Sequence, residues 1–390
     1  MIELLILLLP VAAASGWLAA RRSQRRSEDP GVAGRNPSYF QGLNYLLNEQ
    51  PDKAIDVFVK LIEVDSETVE THLALGNLFR RRGEVDRAIR IHQNLIARPS
   101  LSRELRAQAL LELGLDYMRA GLFDRAESLF NELTEDNLYC EQSLRNLLVI
   151  YQQEKDWEQC LQVAERLESQ TKQSTAVERA HFHCELAEAA LAADDRAAAL
   201  RHIERAQATD KASVRATLMQ GNLEAARGDC RAAVKTFERA ETQDPDLLTE
   251  VLPALADCYR RLGETGQLRT YLQKLYAKRR DIASALALTE QIREHEGEAE
   301  ATEFITEYLG SNPNLRGLER LISLKLSHAD APAAETLHIL RDLVDRLLRN
   351  RPAYQCGHCG FTAKQLHWNC PGCKTWGSMR PVQGFEAELR

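Results

Sequence analysis

Apolar residues recur every three to four positions along most of the chain, which is the period of a helix with one buried face. Similar residues also come into register at a step of about 34 residues, a period typical of stacked helical hairpins. The two clearest copies are LALGNLFRRRGEVDRAI from Leu73 and LELGLDYMRAGLFDRAESLF from Leu111. In the first copy, Gly76 and Ala88 are predicted to lie where two helices cross, and Gly83 to end the first helix. The pattern therefore predicts an all-α repeat protein.

Aromatic residues complete the repeat signature. Phe79 in the first copy and Tyr117 in the second come three residues after a glycine, where each would fill the space beside the helix crossing. This combination resembles the tetratricopeptide repeat and implies a tetratricopeptide-repeat superhelix over residues 35–315, built from eight copies. The other six copies are marked by Gly42, Tyr45, Ala54 and Phe58; by Leu147, Tyr151 and Cys160; by Leu186, Ala199 and Ala206; by Gly221, Gly228, Ala233, Phe237 and Pro245; by Leu255, Tyr259 and Gly263; and by Leu288, Ala301, Ile305 and Pro313.

Residues 316–350 are predicted to form two more helices that cap the array, the second of them amphipathic. An array of this kind has a concave face, lined by the first helix of each hairpin, where partner segments bind. Arginines among apolar neighbours on that face favour an acidic or amphipathic peptide, although each residue could equally be a solvated surface position. The repeat register places on this predicted groove Leu43, Leu46, Asn77, Arg80, Arg81, Leu115, Arg119, Arg145 and Gln152.

The first twenty residues, MIELLILLLPVAAASGWLAA, are apolar except for Glu3, and RRSQRR follows them directly. Such a stretch is long enough, at about 1.5 Å per residue, to cross the roughly 30 Å core of a bilayer. A cleaved signal peptide is the alternative, but its positive charges would precede the apolar run. We therefore predict an uncleaved transmembrane helix at residues 1–20, a tether at 21–34 and a body held in the cytoplasm by the positive-inside rule.

Composition limits the classes of function. The formal net charge is −7 and the pI is about 5.9, so no overall basic field exists that would hold a nucleic acid through its phosphates. No phosphate-binding glycine loop, Gly-x-Ser-x-Gly or His-Glu-x-x-His motif occurs. The HFHCE segment contains His181 and His183, but residues two apart on a helix point in opposite directions and cannot chelate together. We therefore expect neither an enzyme nor a nucleic-acid-binding protein.

Four of the nine cysteines form two Cys-x-x-Cys pairs near the end of the chain: Cys356, Cys359, Cys370 and Cys373. Two such knuckles complete a tetrahedral four-sulfur site, so the spacing predicts one Zn²⁺ or Fe ion in a module over residues 351–390. The metal would supply the core that so short a module lacks. The remaining cysteines occur singly and are expected to be buried or half-buried: Cys140, Cys160, Cys184, Cys230 and Cys258.

Local sequence predicts the shape of this module. Gly360 and the Pro371–Gly372 pair fit positive-φ turns within the knuckles, and FTAKQLHW between the knuckles alternates as a strand of a β-hairpin would. The linker before the module is too short for free motion, so its aromatic residues are expected to dock on the last helices or on a repeat. These aromatic residues are Phe361, Trp368 and Trp376.

Several uses of the metal module remain open from the residues alone. A thioredoxin-like motif would need a βαβ context that is missing, and a regulatory disulfide would need only one cysteine pair. The knuckles resemble those of rubredoxin, an iron electron carrier, but rubredoxin places them much farther apart. A nucleic-acid-binding ribbon with Lys364, Lys374 and Arg380 nearby conflicts with the acidic body and the predicted anchor. A structural role fits the sequence best.

Taken together, the apolar N-terminal segment, the repeats (including LGNLFRRRGEVDRAIRIHQ) and the rubredoxin-like ribbon resemble the lipopolysaccharide assembly protein B family over essentially the whole chain. The resemblance implies a non-enzymatic adaptor in the inner membrane. Its implied partners are a membrane AAA+ metalloprotease of the FtsH type and its substrate, the UDP-acyl-N-acetylglucosamine deacetylase, whose degradation limits lipopolysaccharide synthesis. The resemblance also implies that the four ribbon cysteines bind the metal. An electron-transfer protein and a non-proteolytic scaffold for lipopolysaccharide assembly and export remain alternatives, and homodimerisation is a further option.

Overall fold

The computed structural model describes residues 37–48, 50–64, 69–349 and 351–382. In these ranges the chain is almost entirely helical, and three short strands follow at the end. No helix among the described residues has the length and apolar character needed to cross a bilayer. The predicted anchor (1–20) and tether (21–34) lie outside the described residues. The described residues divide into two compact units, and the division falls between Ile150 and Tyr151, inside one helix.

Helices that follow one another in the chain pack as antiparallel hairpins joined by short turns. The first unit contains α1 (Pro37–Leu47), α2 (Pro51–Val64), α3 (Val69–Arg82), α4 (Val85–Ile96), α5 (Arg103–Ala120), α6 (Phe123–Glu135) and the start of α7 (Cys140–Glu154). The second unit contains the end of α7 and α8 (Trp157–Thr171), α9 (Ala176–Ala192), α10 (Arg196–Thr209), α11 (Val214–Ala226), α12 (Cys230–Glu238), α13 (Ala240–Gln243), α14 (Leu248–Leu262), α15 (Thr265–Arg279), α16 (Ile282–His295), α17 (Glu298–Ser311), α18 (Leu315–Leu326) and α19 (Ala331–Arg349).

Glycines permit the close helix crossings that the sequence predicted. A Cβ added at Gly114 would lie 2.6 Å from the ring of Phe130, and one at Gly221 would lie 2.3 Å from the ring of Phe237. Side chains on the second helices meet the crossing from the other side, and Ala126 is fully buried there. Cys160 occupies the equivalent position in its repeat and is also fully buried, as expected for a small core residue.

Helix ends follow the capping residues in the sequence. Gly121 and Gly263 adopt left-handed conformations with φ of 75° and 72° and end α5 and α14, which confirms their predicted role as C-caps. Asp195 and Asp229 cap the N-termini of α10 and α12 by accepting hydrogen bonds from backbone amides. Short turns between capped helices place each pair of helices back to back, as the repeat pattern predicts.

The two helices predicted to cap the array are α18 and α19. Only Val344 of α19 is fully buried, because the helix packs on α18 along one side. Next to this buried residue on the surface of α19 runs an apolar stripe that is exposed among the described residues. The stripe consists of Ile339, Leu340, Leu343 and Leu347.

A small antiparallel sheet forms the C-terminal module, which lies in the second unit and is called the ribbon below (residues 351–382). Its strands are β1 (Tyr354–Cys356), β2 (Thr362–Ala363) and β3 (Met379–Pro381), in the order β2-β1-β3. The predicted hairpin between the two knuckles is wrong in its placement. The strand after the first knuckle is only two residues long and pairs with β1 across that knuckle. An antiparallel bridge between Asn369 and Trp376 spans the second knuckle in the same way, so each knuckle is the turn of a hairpin.

Candidate metal centre

The two cysteine knuckles are built alike. The carbonyl of Cys356 accepts a hydrogen bond of 3.0 Å from the amide of Gly360, and the carbonyl of Cys370 accepts one of 2.8 Å from the amide of Lys374. Gly360 has φ of 76° and Lys374 has φ of 60°, so each knuckle ends on a left-handed residue directly after its second cysteine. The prediction of a positive φ is confirmed for Gly360 and corrected in the second knuckle, where Lys374 takes that conformation.

Gly372 lets the two knuckles approach each other because it has no side chain. A Cβ at this position would lie 3.2 Å from the Cβ of Phe361 and 3.3 Å from the Sγ of Cys359. Such contacts are tighter than most Cβ atoms make, so a side chain here would push the two knuckles apart. The second knuckle therefore needs glycine because the first knuckle passes close to it.

The four cysteine sulfurs come together at the end of the sheet. All four Sγ atoms lie within 4.8 Å of one another, and the Sγ–Sγ distances are 3.7 Å both for Cys356–Cys373 and for Cys359–Cys370. A tetrahedral ion with metal–sulfur bonds of about 2.3 Å would place its sulfurs about 3.8 Å apart. The cysteines are free of disulfides, and each pair of close sulfurs joins one knuckle to the other. The residues therefore fit a single four-thiolate metal ion.

Neighbouring groups favour the thiolate form, which a metal requires, at two of the four cysteines. The side chain of Ser378, 3.2 Å from the Sγ of Cys356, is the main cause that lowers the pKa of this thiol to about 7. The hydroxyl and amide of Thr375 lower the pKa of Cys373 to about 5, with the hydroxyl 3.3 Å from the sulfur. Backbone amides of the first knuckle also point at the Sγ of Cys356. These donors would orient the thiolates around a bound ion.

The ribbon docks on repeat helices through Trp376. Its indole ring stacks on the imidazole of His181 at a centroid distance of 5.1 Å and meets the rings of Phe182 and Trp157 edge-on at 5.7 and 6.0 Å. Its Nε1 donates a hydrogen bond of 2.9 Å to the Oε1 of Gln152. Trp376 is therefore held by α7, α8 and α9, which confirms docking of this residue on repeats rather than on the last helices.

A second aromatic residue widens this contact. Trp368 lies 5.9 Å from the ring of His181, and the guanidinium of Arg215 on α11 sits 5.8 Å from the centre of its indole. Burial, assisted by the charge of Arg215, lowers the pKa of His181 to about 3, so this imidazole is neutral. Phe361, by contrast, is 37% exposed, and the expectation that it docks is wrong. It lies instead against Gly372 within the ribbon.

Polar contacts hold the other side of the ribbon. The hydroxyl of Tyr354 donates a hydrogen bond of 2.6 Å to the Oε1 of Glu250 at the start of α14. The guanidinium of Arg380 forms an ion pair of 2.9 Å with Asp244, just before that helix. The ribbon thus contacts α7 to α9 on one side and the start of α14 on the other, and it bridges hairpins that are distant in sequence.

Comparisons with known proteins identify the same two parts of the chain, the repeats and the ribbon. The model described as "Rubredoxin metal binding domain" matches residues 354–381, and models described as "Tetratricopeptide repeat" match residues 71–104 and 184–247. Lipopolysaccharide assembly protein B of Escherichia coli is 42% identical over 387 residues, covering 99% of this chain and 100% of that protein. Its counterpart in Haemophilus influenzae is 35% identical over 396 residues, covering 99% and 100%. This chain belongs to the lipopolysaccharide assembly protein B family.

A solved tetratricopeptide repeat protein from Parabacteroides merdae is a more distant likeness. It is 13% identical, covers 74% of this chain and 99% of its own, and has a TM-score of 0.32. The membership in the lipopolysaccharide assembly protein B family rests on the full-length relatives alone.

In this member of the lipopolysaccharide assembly protein B family, the residues of the predicted groove differ in their exposure and in their contacts. Arg80 is engaged within the first unit, since its guanidinium bonds to Glu112 and to the buried carboxylate of Asp116, which also binds His92 at 2.6 Å. In the second unit Gln152 accepts the hydrogen bond from the ribbon. The other members of the set lie in the first unit, where Leu43, Leu46, Asn77 and Leu115 are half-buried and Arg81, Arg119 and Arg145 are exposed. Their role as a groove stays a prediction.

Sequence reasoning missed the residues that receive the ribbon. The spacing of His181 from His183 excludes chelation but does not mark His181 as a docking residue, and nothing in the sequence marks Trp157 or Phe182 as a docking surface. Ser378 and Thr375 were also missed, although polar residues just after a cysteine knuckle are a signal for thiolate donors. Of the single cysteines, Cys140 is half-buried and the others are buried, as expected.

Proposed function

We propose that this protein is a non-enzymatic adaptor in lipopolysaccharide assembly, anchored in the inner membrane with its body in the cytoplasm. The full-length match to the lipopolysaccharide assembly protein B relatives carries the proposal, because it includes the apolar N-terminal segment, the repeats and the ribbon. The name of these relatives, lipopolysaccharide assembly protein B, supports the role in lipopolysaccharide assembly.

The chemistry of the metal centre supports a structural role. Four thiolates at tetrahedral spacing would complete the coordination of a zinc ion, so a bound ion would keep no open position for a substrate or an activated water. Its contribution would be folding free energy for a ribbon with little apolar core of its own. The ribbon then fastens hairpins α7 to α9 to the start of α14 and steadies the surface of the second unit.

The adaptor would act by confining its two partners at the membrane. An anchor at residues 1–20 would keep the repeats at the membrane, where they would hold the FtsH-type protease and the deacetylase close together and so promote degradation of the deacetylase. Tethering two partners raises their effective concentration without any new chemistry. The tetratricopeptide hairpins present the extended surfaces that such a role needs.

Site-specific photocrosslinking in cells tests this function. A photoreactive amino acid at the exposed positions Arg81 and Arg119 should capture the protease or the deacetylase, and the lifetime of the deacetylase should lengthen when the protein is removed. The same substitution at Arg231, exposed in the second unit, is the control for nonspecific capture. Capture of neither partner, together with an unchanged deacetylase lifetime, would overturn the adaptor function. A normal lifetime with impaired lipopolysaccharide export would favour the non-proteolytic scaffold.

Electron transfer is the alternative that one observation favours. Cys359 is exposed, so an iron ion at the four sulfurs would have a solvent-facing route for an electron. Metal analysis of protein purified from its native host separates the two functions. Stoichiometric zinc supports the adaptor, whereas a reducible iron centre that is required for regulation supports electron transfer.

A further inference from the structure

The apolar stripe of α19 is a surface that the fold of a single chain leaves uncovered. Its four residues, Ile339, Leu340, Leu343 and Leu347, are each between 44% and 57% exposed. With 3.6 residues per turn, these positions lie on one side of the helix, next to the side that packs on α18. Single exposed apolar residues are common on protein surfaces, whereas several side by side mark an interaction site.

The spacing of the stripe indicates what kind of surface would cover it. Thr336, Leu340, Leu343 and Leu347 follow one another at steps of four, three and four residues. This is the spacing of the positions through which two helices pack in a coiled coil. The four positions span about 17 Å along the helix at about 1.5 Å per residue. A second helix with the same spacing is therefore the natural complement.

The charges of α19 argue against a lipid surface as the complement. Helices that bind anionic membranes carry an excess of lysine and arginine beside their apolar side. Three acidic and three basic residues balance each other on α19: Glu335, Asp342, Asp345, Arg341, Arg346 and Arg349. The helix therefore has no net charge that would draw it to an anionic membrane.

A second copy of α19 matches the stripe when the two helices run antiparallel. If the two-fold axis passes midway between Leu340 and Leu343, Leu340 of one copy faces Leu343 of the other, and Thr336 faces Leu347. Such an arrangement uses the same surface on both copies and closes on itself as a dimer.

Charged residues beside the stripe also match in this arrangement. Arg346 and Glu335 border the same edge of the stripe, and both are exposed. Neither forms an ion pair with another described residue, and the guanidinium of Arg346 donates to the backbone carbonyl of Asp342. Antiparallel pairing brings Arg346 of each copy close to Glu335 of the other, so that the dimer gains two equivalent ion pairs.

We propose that the protein forms an antiparallel homodimer through the stripes of its two α19 helices. Two helices that meet over three turns bury less than the roughly 1,200 to 2,000 Å² of a stable interface, so the dimer is reversible. Anchoring both copies in one membrane would raise their effective concentration. The dimer can be measured without the protease or the deacetylase, so a failure here leaves the adaptor function standing.

Sedimentation equilibrium of the full-length, metal-loaded protein in a density-matched detergent tests the dimer. We expect a monomer–dimer equilibrium with a dissociation constant in the micromolar range. Leu343→Glu should weaken association at least tenfold, because each copy then places a charge in the apolar seam. A wild-type chain that remains monomeric at about 100 μM overturns the proposal.

Val149→Glu on α7 is the matched control, since Val149 is 47% exposed and Leu343 is 46% exposed. This control should associate as the wild type does. Metal content and circular dichroism verify that both variants are folded. Equal association of Leu343→Glu and the wild type, or equal weakening by the two substitutions, would place the contact outside α19 and overturn the proposal.

Charge reversal tests the antiparallel pairing. Arg346→Glu places two carboxylates together at each end of the contact and should weaken association at least threefold. Combining Arg346→Glu with Glu335→Arg restores opposite charges and should return the dissociation constant to within twofold of the wild type. A double variant that associates no better than Arg346→Glu would contradict the proposed contact.

Photocrosslinking identifies what covers the stripe. A photoreactive amino acid at Leu347 should crosslink to a second copy near Thr336, and mixing isotopically labelled with unlabelled chains distinguishes contacts between copies from contacts within one chain. A crosslink between the two Leu347 positions would indicate parallel helices. A crosslink to residues 383–390 of the same chain would make the C-terminal tail the occupant. Either result overturns the antiparallel homodimer.

Discussion

At the scale of single residues, one cysteine of each knuckle has a hydroxyl group close to its sulfur. Cys356 and Cys373 have lowered pKa values because Ser378 and Thr375 lie beside their sulfurs. Thiolates are the species that bind zinc or iron, so these neighbouring groups would prepare the site for a metal ion. The candidate metal site therefore includes two hydroxyl residues in addition to four cysteines at the correct spacing.

Replacing one of the four sulfurs should release the metal. Cys370 is fully buried at the centre of the site, and a serine there leaves three thiolates and a weak oxygen ligand. We expect the metal content of Cys370→Ser, measured by mass spectrometry of the purified protein, to fall from about one ion per chain to a small fraction of that. Cys140→Ser, a single half-buried cysteine outside the site, should keep its metal. Full occupancy in Cys370→Ser would contradict the four-thiolate site.

The neutral imidazole of His181 predicts a pH dependence of stability. Its pKa is about 3 in the folded chain against an ordinary value of 6.5, so between these values the unfolded chain binds a proton that the folded chain does not. The neutral His181 therefore stabilises the folded chain fully above about pH 6.5. As the pH falls below this value, the free energy of unfolding decreases by up to about 1.4 kcal/mol for each pH unit.

Urea unfolding from about pH 7.5 to about pH 5 measures this effect. The free energy of unfolding of His181→Gln should fall less steeply with decreasing pH than that of the wild type. His338→Gln, which changes an exposed histidine on α19, should keep the wild-type slope. Identical slopes for all three proteins would show that His181 remains solvated.

At the scale of structural elements, each hairpin depends on a small residue at the helix crossing. Gly221→Ala would place a methyl group 2.3 Å from the ring of Phe237, so α11 and α12 would have to separate. We expect a loss of about 1 to 3 kcal/mol in the free energy of unfolding, measured with urea. Gly266→Ala on α15 is the matched control because no atom lies within 4 Å of the added Cβ, and it should be neutral or slightly stabilising. An equal effect of the two substitutions would refute the role of the crossing.

One indole ring of the ribbon, that of Trp376, contacts three repeat helices. Trp376→Ala removes contacts with α7, α8 and α9 and should destabilise the second unit by about 3 to 5 kcal/mol, as truncation of a large buried aromatic residue usually does. Hydrogen exchange should become faster in these three helices while the metal stays bound. Phe361→Ala changes an exposed aromatic residue of the same ribbon and should cost less than about 0.5 kcal/mol. Loss of metal in Trp376→Ala would mean that docking and metal binding cannot be separated.

At the scale of the whole molecule, the metal is expected to stabilise one unit and not the other. The ribbon lies entirely within the second unit, and its contacts reach α7 to α9 and the start of α14. Removal of the ion with a chelator should therefore lower protection from hydrogen exchange in these helices and leave α3 to α6 unchanged. Readdition of zinc should restore protection. A uniform loss over both units would show that the whole chain unfolds as one.

The sequence by itself determined the repeats and the four cysteines of the candidate metal site. Glycines and alanines at helix crossings, aromatic residues beside them and glycine caps recur at a fixed step, and each acts within one hairpin, so the pattern is visible locally. The four cysteines are equally local, since each Cys-x-x-Cys knuckle needs only a few neighbouring residues. Gly360 was correctly assigned a positive φ for the same reason.

Only the tertiary structure decided where the ribbon sits and what it touches. Trp376 and Gln152 are separated by 224 residues, and Tyr354 and Glu250 by 104, so no local pattern records these contacts. The same holds for a cleft of about 390 Å³ between α14 and α16, which is lined by Thr249 of one hairpin and Gln291 of the next. Helical periodicity indicates which face of each helix is apolar. Which of those apolar residues are buried depends on the packing of distant elements, because burial depends on all of a residue's neighbours in space.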